Sequence, residues 1–160
     1  MGDEEELKKQ DEELEKMLKL NYKLKRMGLL RIARTNITYF EGNNIDKHNY
    51  DLGKLGDGIL KFLVADELCK KNMIKDLDNG YNPTCNKHLK NIVEKRLKIT
   101  DFFLIGKGAK NNQNLDEHEE HVGNYLEALI AVVYLDSKRN IKKTRDFLIN
   151  SLDILNIDFD

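Results

Sequence analysis

The sequence predicts an all-α fold, and three observations carry that reading. Apolar residues recur at helical spacing through two long segments, hydrophobic and charged residues make up 40% and 34% of the chain, and one proline in 160 residues leaves helices little interrupted. The length fits one domain able to bury a single core. A formal charge of −1 provides no global excess of positive charge for nucleic acid, so any such binding falls to a local patch or an assembly. No apolar run is long enough to span a bilayer and no signal-like stretch opens the chain, so we expect no membrane and an intracellular location in cytosol, nucleus or mitochondrion. Cys69 and Cys85 lack metal-ligand spacing and read as reduced core residues.

In chain order, residues 1–27 read as a charged N-terminal helical extension, acidic at its start and basic at its end as suits the helix dipole. Leu7, Leu14, Met17 and Leu18 form only a thin apolar stripe, which favours an exposed lead over a coiled-coil seam. A second helix, LLRIARTNITYF, ends before the loop EGNNIDKHN. The segment HNYDLGKLGDGILKFLVADEL then carries Leu55, Ile59, Phe62, Leu63 and Leu68 at helical spacing, a central helix running to about Lys71. Gly53, Gly56 and Gly58 fall inside it, although each glycine costs a helix about 1 kcal/mol against alanine. Pro83 opens or precedes the helix NKHLKNIVEKRL. Gly106-Lys107-Gly108 lacks the spacing of a phosphate loop and reads as a turn. EHEEHVGNYLEALIAVVYL is a second apolar helix, and NIKKTRDFLINSLDIL is amphipathic through Ile141, Phe147, Leu148, Leu152 and Leu155.

Each apolar helix holds an acid among its apolar residues, Asp57 in the first and Glu127 in the second. Burying a carboxylate is expensive unless a cation or hydrogen bonds compensate it. A hard divalent cation held between helices is one solution; a solvent-facing or capped position is the other.

HNYDLGKLGDGIL followed by YLEALIAVVYLD resembles the nuclease domain of ribonuclease III, whose signature runs H-N-E-x-L-E-F-L-G-D-A-V-L and whose later helix carries D-x-x-E-A-L-I-G-A-x-Y-L-D. LLRIARTNITY and TCNKHLKNIVEKRLKITDFFLIGKG resemble two further segments of that family, so the likeness runs in order over residues 29–148 of a domain placed at 28–157. The resemblance implies an all-α endonuclease-type bundle. It also implies Mg²⁺ (or Mn²⁺) held by carboxylates of the two motif helices, and a metal-activated water attacking an RNA phosphodiester, because attacking and leaving oxygens both gather negative charge. Partners implied are double-stranded or structured RNA and a second ribonuclease III-like domain, as homodimer or heterodimer. The family often adds a double-stranded-RNA-binding domain, and these 160 residues contain no segment resembling one.

Carried over by position, Asp57 matches the signature aspartate and Glu127 the glutamate before A-L-I, and these are the candidate catalytic and metal-binding residues. Gly53 stands where the signature has glutamate and Asn124 where the later motif has aspartate, so both are degenerate catalytic positions. Spacings of four and three put each pair on one helix face. A further acidic position falls near Asn79, with Asp76 or Asp78 as substitutes. Lys54 replaces the aromatic residue that enters the partner domain, and as a lysine it must snorkel out or meet an acid. Asp51 points roughly 160° away from the position 53 face and is a poor replacement ligand. His121 lies one turn before Asn124, but Mg²⁺ prefers oxygen. His48 and Asn49 are expected to order the loop ahead of the signature helix.

Three functions follow. The leading one is a catalytically impaired ribonuclease III-like domain that dimerises with a partner or works inside an RNA-protein particle. The alternatives are a divergent active Mg²⁺-dependent endonuclease and a protein-interaction module without RNA contact. Loss of two carboxylates removes much of the electrostatic stabilisation the reaction needs, which places the first ahead on chemistry.

Overall fold

A computed structural model describes residues 2–39, 47–78, 82–111 and 114–156, and these are all-α, with a parallel bridge between Thr35 and Leu104 and no strand. The helices are α1 (Gly2–Met17), α2 (Met27–Ala33), α3 (Tyr50–Lys70), α4 (Lys75–Asp78), α5 (Asn86–Asn91), α6 (Lys107–Asn111), α7 (Leu115–Asp136) and α8 (Ile141–Phe147). The two apolar segments form α3 and α7, which pack on each other along most of their length, and α2, α5 and α8 surround α7. This arrangement explains the composition of α7: from Leu126 to Val133 every residue but Glu127 is buried, because neighbours cover the helix on several sides.

Helix ends follow local chemistry. The Asn114 side chain accepts from the Asp116 amide at 3.2 Å and Asp116 and Glu117 lie at the positive end of α7, while Asn140 Oδ1 accepts from the Lys143 amide at 3.1 Å to start α8. The segments after α5 and α8 widen into π-helical turns, Ile92–Leu97 and Leu148–Leu152, each ended by a left-handed residue, Lys98 and Asp153.

The structure departs from the sequence reading in five places. The N-terminal helix is docked instead of solvated: Leu14 and Leu18 are buried, and Asp11 Oδ1 and Oδ2 accept from Arg34 Nε and Arg31 Nε, each at 2.6 Å. The second helix is shorter than expected, since Asn36 turns its side chain onto the Thr38 amide at 2.9 Å and its own amide onto Leu104, leaving only a 3₁₀ turn at Ile37–Tyr39. Lys107 and Gly108 open the short helix α6 instead of a turn. Ile141 is exposed, so the buried face of the last helix begins at Thr144 and Phe147. The cysteines are free but not core residues; Cys69 is exposed on the last turn of α3 and Cys85, partly exposed, precedes α5.

Candidate functional site

The signature helix is anchored at its entry by Asn49. Its amide donates to Thr35 O at 2.8 Å, its side-chain Nδ2 donates to Ala33 O at 3.1 Å, and its carbonyl receives the Gly53 amide at 2.8 Å. His48 Nδ1 accepts from the Tyr50 amide at 3.2 Å, so both residues order the approach to α3 as the sequence predicts.

Two glycines then let α7 come close. A β-carbon at Gly56 would lie 1.7 Å from the Glu127 carbonyl oxygen, so the helix backbones touch here and no side chain fits. A β-carbon at Gly53 would lie 1.9 Å from Asn124 Oδ1. At Gly58 nothing lies within 4 Å, which makes that position an ordinary exposed one.

The crossing brings Asp57, Glu127 and Asn124 to the wall of one cleft of about 640 Å³. Lys54, Lys61, His121 and a further acid, Glu120, also line it, and Asn36, Asn82 and Asn86 add neutral amides. Asp51 is exposed outside it. Asn79 lies outside the described residues, Asp76 does not line the cleft, and Asp78 ends α4.

The carboxylates differ in their surroundings. Asp57 Oδ2 receives Lys61 Nζ at 2.7 Å, a pair on one face of α3, and this bond holds the lysine above its ordinary pKa. Glu127 forms no ion pair or side-chain hydrogen bond among the described residues. Burial, reinforced by the charge of Asp57, pushes its carboxyl up to about 7 against the pull of Lys61 and Lys54. Lys54 turns outward over the Tyr50 ring, 5.3 Å from its centroid, in the solvent-seeking posture expected of it.

The donor set does not fit the divalent-cation site that the resemblance implies. No group of three or more His, Cys, Asp or Glu side chains converges among the described residues. Asn124 presents its oxygen to Gly53 and its nitrogen to Asn49, and an ammonium already neutralises Asp57. Lys61 was not singled out from the sequence, although its position four residues after Asp57 is the usual spacing of a helical ion pair. The amides of Asn36, Asn82 and Asn86 carried no local signal, since two separate segments, at 36 and at 82–86, bring them together.

No family model matches the chain. Ribonuclease 3 of Phytoplasma mali is 32% identical over 155 residues, covering 88% of this chain and 65% of that protein. Ribonuclease 3 of Aquifex aeolicus is 31% identical over 140 residues, covering 84% and 57%. The crystal structure of the nuclease domain of Campylobacter jejuni ribonuclease III has the same fold, with a TM-score of 0.74, 22% identity, and coverage of 93% of this chain and 97% of that one. The chain belongs to the ribonuclease III family and corresponds to its nuclease domain. It spans between 57% and 65% of the length of these two curated relatives. No helix among the described residues is long and apolar enough to cross a membrane.

Proposed function

We propose that this chain is a ribonuclease III-type domain acting in the processing of double-stranded or structured RNA, with an impaired metal site, as one half of a dimer or heterodimer or as a component of an RNA-protein particle. The observation that carries the impairment is the occupation of the cleft: Asn124 sits over Gly53, and Lys61 is bonded to Asp57 where the family uses converging carboxylates. Two carboxylates, one of them already paired with a lysine, stabilise a divalent cation poorly, and without it both oxygens of a phosphodiester displacement go uncompensated.

Support for pairing comes from the outer side of α3. Leu55, Gly58, Phe62 and Cys69 follow one another along it, and Phe62 is 58% exposed, a large apolar ring suited to burial by a second domain. A related Campylobacter jejuni nuclease-domain structure is described by structural flexibility in its region involved in dimer formation. The outward Lys54 leaves the partner without an aromatic plug, which favours a partner whose socket is altered over a strict copy of the usual homodimer.

Incubation with duplex RNA and Mg²⁺ or Mn²⁺ tests the reading. No cleavage by the purified chain, binding that weakens as salt rises, and cleavage gained by G53E/N124D are expected. Short duplex products that disappear in D57A and E127A would establish an active enzyme instead. Absence of binding at low salt would leave a protein-interaction module.

A further inference from the structure

We infer that Gly53 and Asn124 are an interlocked pair: the Asn124 amide fills the volume a side chain at position 53 requires and latches α7 to the entry of α3, so neither position changes its chemistry without the other. The naming of both as cation-ligand positions rests on the reading above; the interlock rests on geometry alone.

The atoms nearest a β-carbon at position 53 are Asn124 Oδ1, Cγ and Nδ2 at 1.9, 2.6 and 3.0 Å, all of one amide. The obstacle is therefore a side chain able to rotate, unlike the helix backbone that faces Gly56. Rotation has a consequence, because Asn124 Nδ2 donates to Asn49 Oδ1 at 2.8 Å and lies 3.5 Å from Asn49 O. Asn49 is buried, its Nδ2 is committed to Ala33 O, and its Oδ1 has no other donor among the described residues. Displacing Asn124 leaves that oxygen buried and unpaired.

Each single reversal to a carboxylate therefore fails in its own way. Glutamate at 53 expels Asn124 from its latch. Aspartate at 124 replaces the donor with a second acceptor facing Asn49 Oδ1, and turning the Asn49 amide to suit it gives up the bond to Ala33. Changing both lets an aspartate with no bond to Asn49 turn out of the volume that the glutamate takes, so both carboxylates can face the cleft while Asn49 Oδ1 goes unpaired.

The test is a thermal-unfolding cycle on the full chain with G53A, N124A and G53A/N124A. In the parent background G53A is expected to lower the midpoint by about 2–4 °C, since the lost latch outweighs the better helix former. In the N124A background the same substitution is expected to raise it, because only the helix preference remains. Equal shifts of one sign in both backgrounds would overturn the interlock, and N124S replaces N124A if that variant does not fold. With MnCl₂ alone as the probe, the midpoint of G53E/N124D should rise while those of G53E and N124D do not. A rise in either single variant equal to that of the double also overturns it. No rise in the double counts against the cation-site reading alone, the alanine cycle still deciding the interlock.

Discussion

Asp11 and Glu127 are both carboxylates taken out of water, and the molecule treats them in opposite ways. Asp11, on α1, meets two arginines, and the fully buried guanidinium of Arg34 is completed by the carbonyls of Leu7 and Phe102 at 3.1 and 2.8 Å. Both oxygens of Asp11 and all three nitrogens of Arg34 have a bonded partner in that cluster. Glu127, on α7, has only the distant attraction of two lysines against burial and the repulsion of Asp57. The contrast separates a charge that holds the fold from one left under-compensated in a cleft, which is the pattern of functional sites.

Breaking the compensated cluster has the largest expected effect. Asp11→Ala strands Arg34 in the interior without a counter-charge, and removing one partner of such a buried pair costs about 3–5 kcal/mol. Urea unfolding should show the midpoint falling with little change in slope, and a loss below about 1 kcal/mol would mean that α1 contributes little to the folded core.

Glu127 yields the opposite sign. Its folded pKa lies above the unfolded value, so the folded state binds the proton more tightly. Stability from this group is therefore complete below the ordinary carboxylate range and is lost as pH rises through about 7. The loss is on the order of 2 kcal/mol, reduced from the full conversion because the group is partly exposed. Glu127→Gln should remove it, raising the thermal midpoint at pH 8 while leaving it nearly unchanged at pH 4.5. A parent chain whose stability does not decline between those pH values would remove the physical basis for the contrast with Asp11.

The legibility of the two regions from sequence differed for physical reasons. Helices α3 and α7 were readable because their apolar residues repeat at helical spacing, and the meeting of Gly53 and Asp57 with Asn124 and Glu127 was readable because two motifs fix each pair within a turn of its own helix. The docking of α1 was not readable. A charged helix with four scattered apolar residues looks solvated until Asp11 is seen against Arg31 and Arg34, which lie 20 and 23 residues away. The latch was equally hidden, since Asn49 and Asn124 are 75 residues apart and only the crossing of α3 over α7 joins them. Cys69 was misplaced because helical spacing does not say which side of a helix a neighbour covers.

The smallest expected effect concerns Lys61, and it sharpens the comparison most directly. Its ion pair with Asp57 is an exposed i, i+4 pair, so Lys61→Met should change stability at neutral pH by no more than about 0.5 kcal/mol. Lys61 also draws the Glu127 carboxyl downward against burial. Removing that cation should move the pH-dependent loss of stability to higher pH without enlarging the change at pH 4.5. The measurement is the thermal midpoint of Lys61→Met against pH, compared with Lys61→Met/Glu127→Gln, in which the shifted loss should vanish. A loss that persists in the double variant would assign the titration to another group and leave Lys61 as a surface partner of Asp57 alone.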